Sequence, residues 1–449
     1  TLPDIMKKFI VLVALAAVLC LASAKFHSMA LHRHQTGKVA HISHLIEKHA
    51  LARKIDPKIA LGSVSSVPMG GNVFPVGIYW LEVGIGTPTK YYGVAIDSGS
   101  CTLIVPGAPC QGCTSTIAYR ASESRTSKTV PCPSFDYECF TCGGNNCTFS
   151  NTYQTCVMTD PDQTCTVSGN VYIDKFNLAG LTGTTTVGTI TYQTPNFQQF
   201  MVIDGVMGFA CESQWNVPTP LQDLVNQGKI QNQFSYCMDQ ASGQGGIFTV
   251  GGADPKYYLG DFAYTPFNGD GTGLYTVNLN DIHVGHLSLG VPPIIYNNPE
   301  MYGGTTIDSG TNVLLLPSVP FAAMKKTFRS LCSTMNLYGV CGSNSTNTIF
   351  DNGLCFPMTE AQRSAYPPLT LTFAPNTQVK MSYKEYIIEF VPGSGQWCLG
   401  VINTGPEGFT IIGDTTMAPY TLLFDRINNQ LGFAKVNPDT CKYTGQPPH

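Results

Sequence analysis

The sequence predicts an all-β fold made of two related lobes. Three observations lead there. Gly, Thr, Val, Tyr and Phe are plentiful, and runs such as Thr276-Val277-Asn278-Leu279 alternate apolar and polar side chains between glycine turns, as half-buried strands do. The tetrapeptide Asp97-Ser98-Gly99-Ser100 returns as Asp308-Ser309-Gly310-Thr311. The residues that follow each copy then repeat in the same order, which marks a duplicated unit.

Each tetrapeptide ends a short apolar strand, Val94-Ala95-Ile96 in one half and Thr305-Thr306-Ile307 in the other. Six to nine positions after each Asp comes an apolar triplet closed by proline, Leu103-Ile104-Val105-Pro106 and Leu314-Leu315-Leu316-Pro317. A second signal, two apolar residues and a glycine, stands at Val206-Met207-Gly208 and Ile411-Ile412-Gly413, 111 and 105 residues after its Asp. The lobes are expected to span 71–264 and 265–449, meeting near Tyr264. Helices should be few; the steps between Phe321, Met324, Phe328 and Leu331 predict one over Val319 to Leu331, with its apolar stripe facing the core.

In a chain of 449 residues, 43% hydrophobic and 12% charged, both halves can hold real cores. Lys7 and Lys8 precede an apolar run from Phe9 to Leu21 that closes with Ala22-Ser23-Ala24, the pattern of a secretory signal over 1–24. The run is shorter than the roughly 20 residues a membrane span needs, so no membrane association is expected after its removal.

The next segment, 25–70, has a different character. It holds six of the nine histidines, and residues 1–70 carry nine Lys+Arg against three Asp+Glu, leaving 16 basic and 26 acidic groups for the rest. A basic segment ahead of an acidic body reads as a pro-segment, a lid held by charge and released as body carboxylates protonate in acid. Histidine protonation would oppose release, so the histidines either tune its pH or are simply solvated. Nucleic-acid binding is not expected of an acidic body, since phosphate contacts need the opposite sign.

Without Cys20 of the signal, 16 of 17 cysteines remain, an even number that fits disulfides in an oxidising compartment. Cys110-x-x-Cys113 and Cys139-x-x-Cys142 have zinc-site spacing, but secretion favours bridges over metal. Asn146-Cys147-Thr148 and Asn344-Ser345-Thr346 are glycosylation sequons.

Together these motifs resemble the pepsin-like aspartic peptidases, from about Val76 to Pro438. The parts that carry the resemblance are Trp80-Leu81-Glu82-Val83-Gly84-Ile85-Gly86-Thr87-Pro88, both Asp-Ser-Gly loops, both apolar-apolar-Gly segments, and Ile411-Ile412-Gly413-Asp414 through Phe424-Asp425-Arg426 to Leu431-Gly432-Phe433-Ala434. The resemblance implies a bilobal pepsin-like fold with the active-site cleft between the lobes and an endopeptidase working at acidic pH. Asp97 and Asp308 would be its catalytic pair, sharing one proton because two adjacent carboxylates cannot both ionise cheaply. Gly99 and Gly310 would let backbone amides approach the acids, Ser98 and Ser309 would bond across the lobe junction, and Ser100 and Thr311 would orient the outer carboxylate oxygens. In the family the residue at position 98 is more often Thr.

The resemblance further implies protein or peptide substrates, a monomer, no metal or organic cofactor, and a secreted, vacuolar or lysosomal destination. The pro-segment would be the enzyme's own partner, with Lys54 or Lys58 against the acids. The stretch from Cys101 to Cys165 resembles the cysteine-rich insertion of nepenthesin-type members, and likeness to the second lobe's late loop implies a Cys355–Cys398 bridge. Tyr153 is the implied flap tyrosine, on a hairpin returning over Val167 to Asp174.

Two departures stand out. Gln154 occupies the place of the usual flap glycine, and Ile104 that of a tryptophan whose ring nitrogen bonds the flap tyrosine. With Ile104 and Val206 as walls, an open aliphatic pocket and cleavage between large apolar residues are expected. The rival reading is a catalytically silent secreted binding or inhibitor protein of the same fold, which the unusual flap keeps in play; a structural wall or adhesion protein would not need two matched acid loops.

Overall fold

The computed structural model describes residues 64–443 apart from 74–76, 133–140, 145, 154–164, 195–196, 198–202, 211–217, 241, 270–272, 299–303, 343–346, 352–353 and 407. The expected signal, the pro-segment up to residue 63 with Lys54 and Lys58, Gln154, Cys139, Cys156 and the Asn344 sequon lie outside the described residues.

Strands dominate, as the alternating sequence requires, and the largest sheet has 15 of them. Its centre is laid down by the first half of the chain. Strand Ile78–Ile85 pairs antiparallel with Lys90–Asp97, which lies parallel to Gly205–Gly208, which in turn pairs antiparallel with Leu103–Gln111. The second half repeats this arrangement in miniature. Thr305–Ile307 runs parallel to Ile411–Ile412, and Leu314–Leu316 pairs antiparallel with the same strand. The apolar-apolar-Gly segment thus sits in each half between the strand that ends in Asp and the strand that follows the acid loop. Both glycines are there because nothing larger fits: a Cβ at Gly208 would lie 2.4 Å from the Cys101 nitrogen, and one at Gly413 2.4 Å from the Thr311 and Val313 oxygens.

The two halves also share strands. Tyr420–Asp425 and Gln430–Val436, late in the chain, join the large sheet through the pairing of Tyr420–Asp425 with Gln233–Met238. An aromatic cluster fills the junction: Phe234 stacks on Phe424 with ring centroids 4.4 Å apart, and Phe209, Phe248 and Tyr275 close round them. Such ring pairs contribute about 0.5–1.5 kcal/mol each beyond their buried area. Phe209 follows Gly208 directly and its carbonyl accepts from the Tyr275 hydroxyl, so the cluster is tied to the acid loop above it.

Ser65–Asn72, whose first six residues fall in the expected pro-segment, forms a strand between Gly246–Val250 and Ile78–Ile85. The expected helix is present over Ser318–Ser330, burying Phe321, Met324 and Phe328. Thr276-Val277-Asn278-Leu279 is two strands rather than one, Thr276–Val277 and Leu279–Val284, which pair into different sheets.

Cys355 bonds Cys398. Cys110 bonds Cys113 and Cys132 bonds Cys142, so the zinc-like spacing serves bridges. Cys237–Cys441 and Cys332–Cys341 complete the pairs with both partners described. Cys101 is buried beside the first acid loop.

Candidate active site

Each acid loop folds on itself in the same way. Asp97 Oδ1 accepts from the Gly99 amide at 2.9 Å and its Oδ2 accepts from the Ser100 hydroxyl. Asp308 Oδ1 accepts from the Gly310 amide at 2.8 Å and its Oδ2 from the Thr311 hydroxyl at 2.7 Å. The strand–turn brings a glycine amide and a hydroxyl onto one carboxylate, twice.

The loops meet through their serines. Ser98 Oγ donates to the Ile307 carbonyl at 3.1 Å and accepts from the Ser309 amide at 2.9 Å, while Ser309 Oγ donates to the Ile96 carbonyl at 2.9 Å and accepts from the Ser98 amide at 3.0 Å. Both serines are buried, so these four bonds form away from water and lock the register of one loop against the other. Only a short side chain with both a donor and an acceptor can do this.

Across that lock the carboxyl groups of Asp97 and Asp308 lie side by side: the spot a Cβ on Gly310 would fill is 2.9 Å from Asp97 Oδ1 and 3.1 Å from Asp308 Oδ1. The glycines permit the approach: a Cβ at Gly99 would fall 2.8 Å from Asp308 Oδ1, and one at Gly310 2.9 Å from Asp97 Oδ1. Burial raises the pKa of both acids, and the charge of Asp308 raises Asp97 further.

Beneath Asp308 lies a third carboxyl. Asp414, fully buried, has neither oxygen hydrogen-bonded among the described residues, and burial with the charge of Asp308 raises its pKa far above the carboxylate range. Tyr236, whose hydroxyl donates to Met417 Sδ at 3.3 Å, is within electrostatic reach of the same group.

Tyr153 ends strand Asn146–Tyr153, which pairs with Cys165–Leu178 in a hairpin, Tyr153 opposite Cys165. Its ring meets Phe197 at 5.4 Å between centroids, and its hydroxyl accepts from Asn151, which also donates to Thr102, within electrostatic reach of Asp97. Sequence reasoning brought Asp97, Asp308, their neighbours and Tyr153 to one region but missed Thr102 and Asn151. The signal for Asn151 was its place two residues before Tyr153 on a strand, hence on the same face.

The expectation that Ile104 and Val206 wall an open pocket is corrected. They are 0% and 4% exposed and lie in a core with Phe149, Val167 and Ile190. Ile104 sits opposite Gly188, where the missing side chain leaves room for it: a Cβ there would be 2.9 Å from Ile104 Cγ2.

Among the described residues no group of His, Cys, Asp and Glu has the arrangement of a metal site, and no helix is long and apolar enough to cross a membrane. Residues 78–436 match the family model for eukaryotic aspartyl proteases. The chain is 26% identical to aspartic proteinase 39 of Arabidopsis thaliana, over 96% of this chain and 88% of that protein. It is 24% identical to cathepsin D of Chionodraco hamatus and to pepsin A of Canis lupus familiaris, over 80% of this chain and 81% of each of those proteins. A duplicated acid loop, an adjacent pair of carboxyls and a match over most of the chain agree, and the chain belongs to the eukaryotic aspartyl protease family.

Proposed function

We propose that the chain is an aspartic endopeptidase in which Asp97 and Asp308 together activate water against a peptide carbonyl at acidic pH. The observation that carries the reading is the close approach of the two carboxyl groups, held by bonds that cross the lobe junction. With one proton between them, the ionised member takes a proton from water while the protonated member donates to the scissile carbonyl. The tetrahedral diol then collapses as a proton passes to the amide nitrogen and the amine leaves. Gly99, Gly310, Ser100 and Thr311 keep the acid oxygens in place throughout, which is the preorganisation such a reaction needs. Tyr153 covers the substrate from the hairpin and excludes water. The silent-binder reading has no comparable observation behind it, since both acids and all their partners are intact.

The same reading makes the precursor a zymogen that enters the secretory pathway by the signal over 1–24. The basic segment lies on the acidic body at neutral pH and leaves in acid. Ser65–Asn72 is bonded into the large sheet, so a processed form that keeps this sheet begins upstream of Ser65 rather than after residue 70.

The test is hydrolysis of denatured haemoglobin at acidic pH by processed protein. Activity blocked by a statine-type inhibitor and lost in both Asp97→Asn and Asp308→Asn is expected. An inactive, correctly folded wild type, or an active Asp97→Asn, would remove the assignment; full acid activity of the uncleaved precursor would remove the zymogen part alone.

A further inference from the structure

Beside the candidate dyad one amide bridges two hydroxyls. Asn151 Nδ2 donates to Thr102 Oγ1 at 3.2 Å and to Tyr153 Oη at 3.4 Å. The three residues come from two separate pieces of chain. Asn151 and Tyr153 share one face of the hairpin strand. Thr102 belongs to the acid loop, five residues after Asp97; it is 5% exposed and its carbonyl accepts from the Gly208 amide at 2.9 Å.

The surroundings give these polar atoms weight. The core behind the hairpin is apolar, with Ile104, Phe149, Val167 and Phe197, and Ile104 has no hydrogen-bonding group to offer the phenol. The amide has two N–H groups, one for each hydroxyl oxygen, so Asn151 serves both residues at once. The Tyr153 phenol it holds feels the charge of Asp97.

We propose that Asn151 and Thr102 are positioning residues that latch the hairpin to the Asp97 loop and aim the Tyr153 phenol at the bound peptide. This rests on the reading of Tyr153 as the flap tyrosine, and adds how this chain holds it.

The test is a double-mutant cycle on processed full-length protein with a quenched-fluorescent peptide. Asn151→Ala lowers kcat/KM about tenfold, the effect of losing one aligned hydrogen bond, and costs nothing further in a Tyr153→Phe background. Thr102→Val costs a similar factor, and Thr102→Ser recovers it. Asn151→Asp adds a pH signature: the protonated acid can still donate and the ionised one cannot, so its activity falls at lower pH than that of the wild type. Additive losses in Asn151→Ala and Tyr153→Phe, or wild-type kcat/KM in both Asn151→Ala and Thr102→Val, overturn the latch. Should Asn151→Ala not fold, the isosteric Thr102→Val carries the same comparison.

A readout without catalysis separates this from the peptidase reading. In an Asp97→Asn background, amide hydrogen exchange over residues 146–153 is expected to speed up when Asn151→Ala or Thr102→Val is added. Unchanged exchange overturns the latch even in an active enzyme, and faster exchange supports it even where the wild type cleaves nothing.

Discussion

Replacing Gly99 with alanine tests whether contact between the two acids, rather than their mere presence, carries the activity. Gly99 and Gly310 both have negative φ, so alanine is compatible with the backbone and the perturbation is purely steric. The new methyl would stand 2.8 Å from Asp308 Oδ1 and 2.9 Å from its Cγ, whereas ordinary contact begins at 3.4 Å. Either the Asp308 carboxyl or the Gly99 loop must therefore retreat by about 0.6 Å, the difference between those distances. The serine lock below prevents the loops from parting as bodies, so the displacement falls on the carboxyl pair. A misplacement of about 1 Å can cost a hundredfold in rate, and the expected fall in kcat/KM is tenfold to a hundredfold. The assay is hydrolysis of a quenched-fluorescent peptide in acid, with thermal unfolding in parallel to show that the fold persists. Gly310→Ala approaches from the other side, 2.9 Å from Asp97 Oδ1, and should do the same. Activity of Gly99→Ala within twofold of wild type would mean that the mutual approach of the carboxyls is not needed, and the mechanism would fail with it.

Three further outcomes are expected. Asp223, pushed up to about 7 by burial, and Asp414, raised by burial and by Asp308, both hold protons more tightly folded than unfolded. Their stabilisation is complete below the unfolded carboxylate pKa and is lost as pH rises through the folded values, for Asp223 at most about 4 kcal/mol at roughly 1.4 kcal/mol per unit. Asp351 and Asp425 have the opposite sign: burial, which would raise them, is outweighed by bonds from Lys325 and Asn428, so their contribution fades below pH about 4. Melting temperature should therefore peak in mild acid and fall toward pH 7.5, with a shallower fall in Asp223→Asn; a curve rising to neutrality contradicts this. Ser98→Ala removes a donor and an acceptor from a buried junction and should cost about 1–3 kcal/mol in denaturant unfolding, with no loss if water enters in its place. Cys355→Ser with Cys398→Ser opens a loop of sequence separation 43 and should lower stability by about 2–4 kcal/mol; an unchanged midpoint would show the strand pairing there to be sufficient.

The duplication was legible because its cause is local. A carboxylate that must accept from an amide two residues on and a hydroxyl three residues on fixes its own neighbours, so Asp97-Ser98-Gly99-Ser100 and Asp308-Ser309-Gly310-Thr311 carry the loop geometry in four letters. The glycines at 208 and 413 were legible for the same reason, each excluded from having a side chain by a backbone it touches. What escaped depends on partners far apart in the chain. Ile104 looked like a pocket wall from the character of its side chain, but whether an isoleucine faces a cleft or a core is decided by Gly188, 84 positions away, which withdraws its side chain to admit it. Thr102 and Asn151 are 49 residues apart, and neither has a spacing that ties it to the other. Asp414 was visible as a letter in a motif, yet its raised pKa comes from its complete burial and the charge of Asp308, 106 positions earlier. The general point is energetic: motifs report contacts that a segment makes with itself, whereas a buried polar group is priced by whatever the rest of the chain puts around it. A flap held by a distant threonine and asparagine is of the second kind, which is why it must be sought in coordinates and tested by coupling between sites.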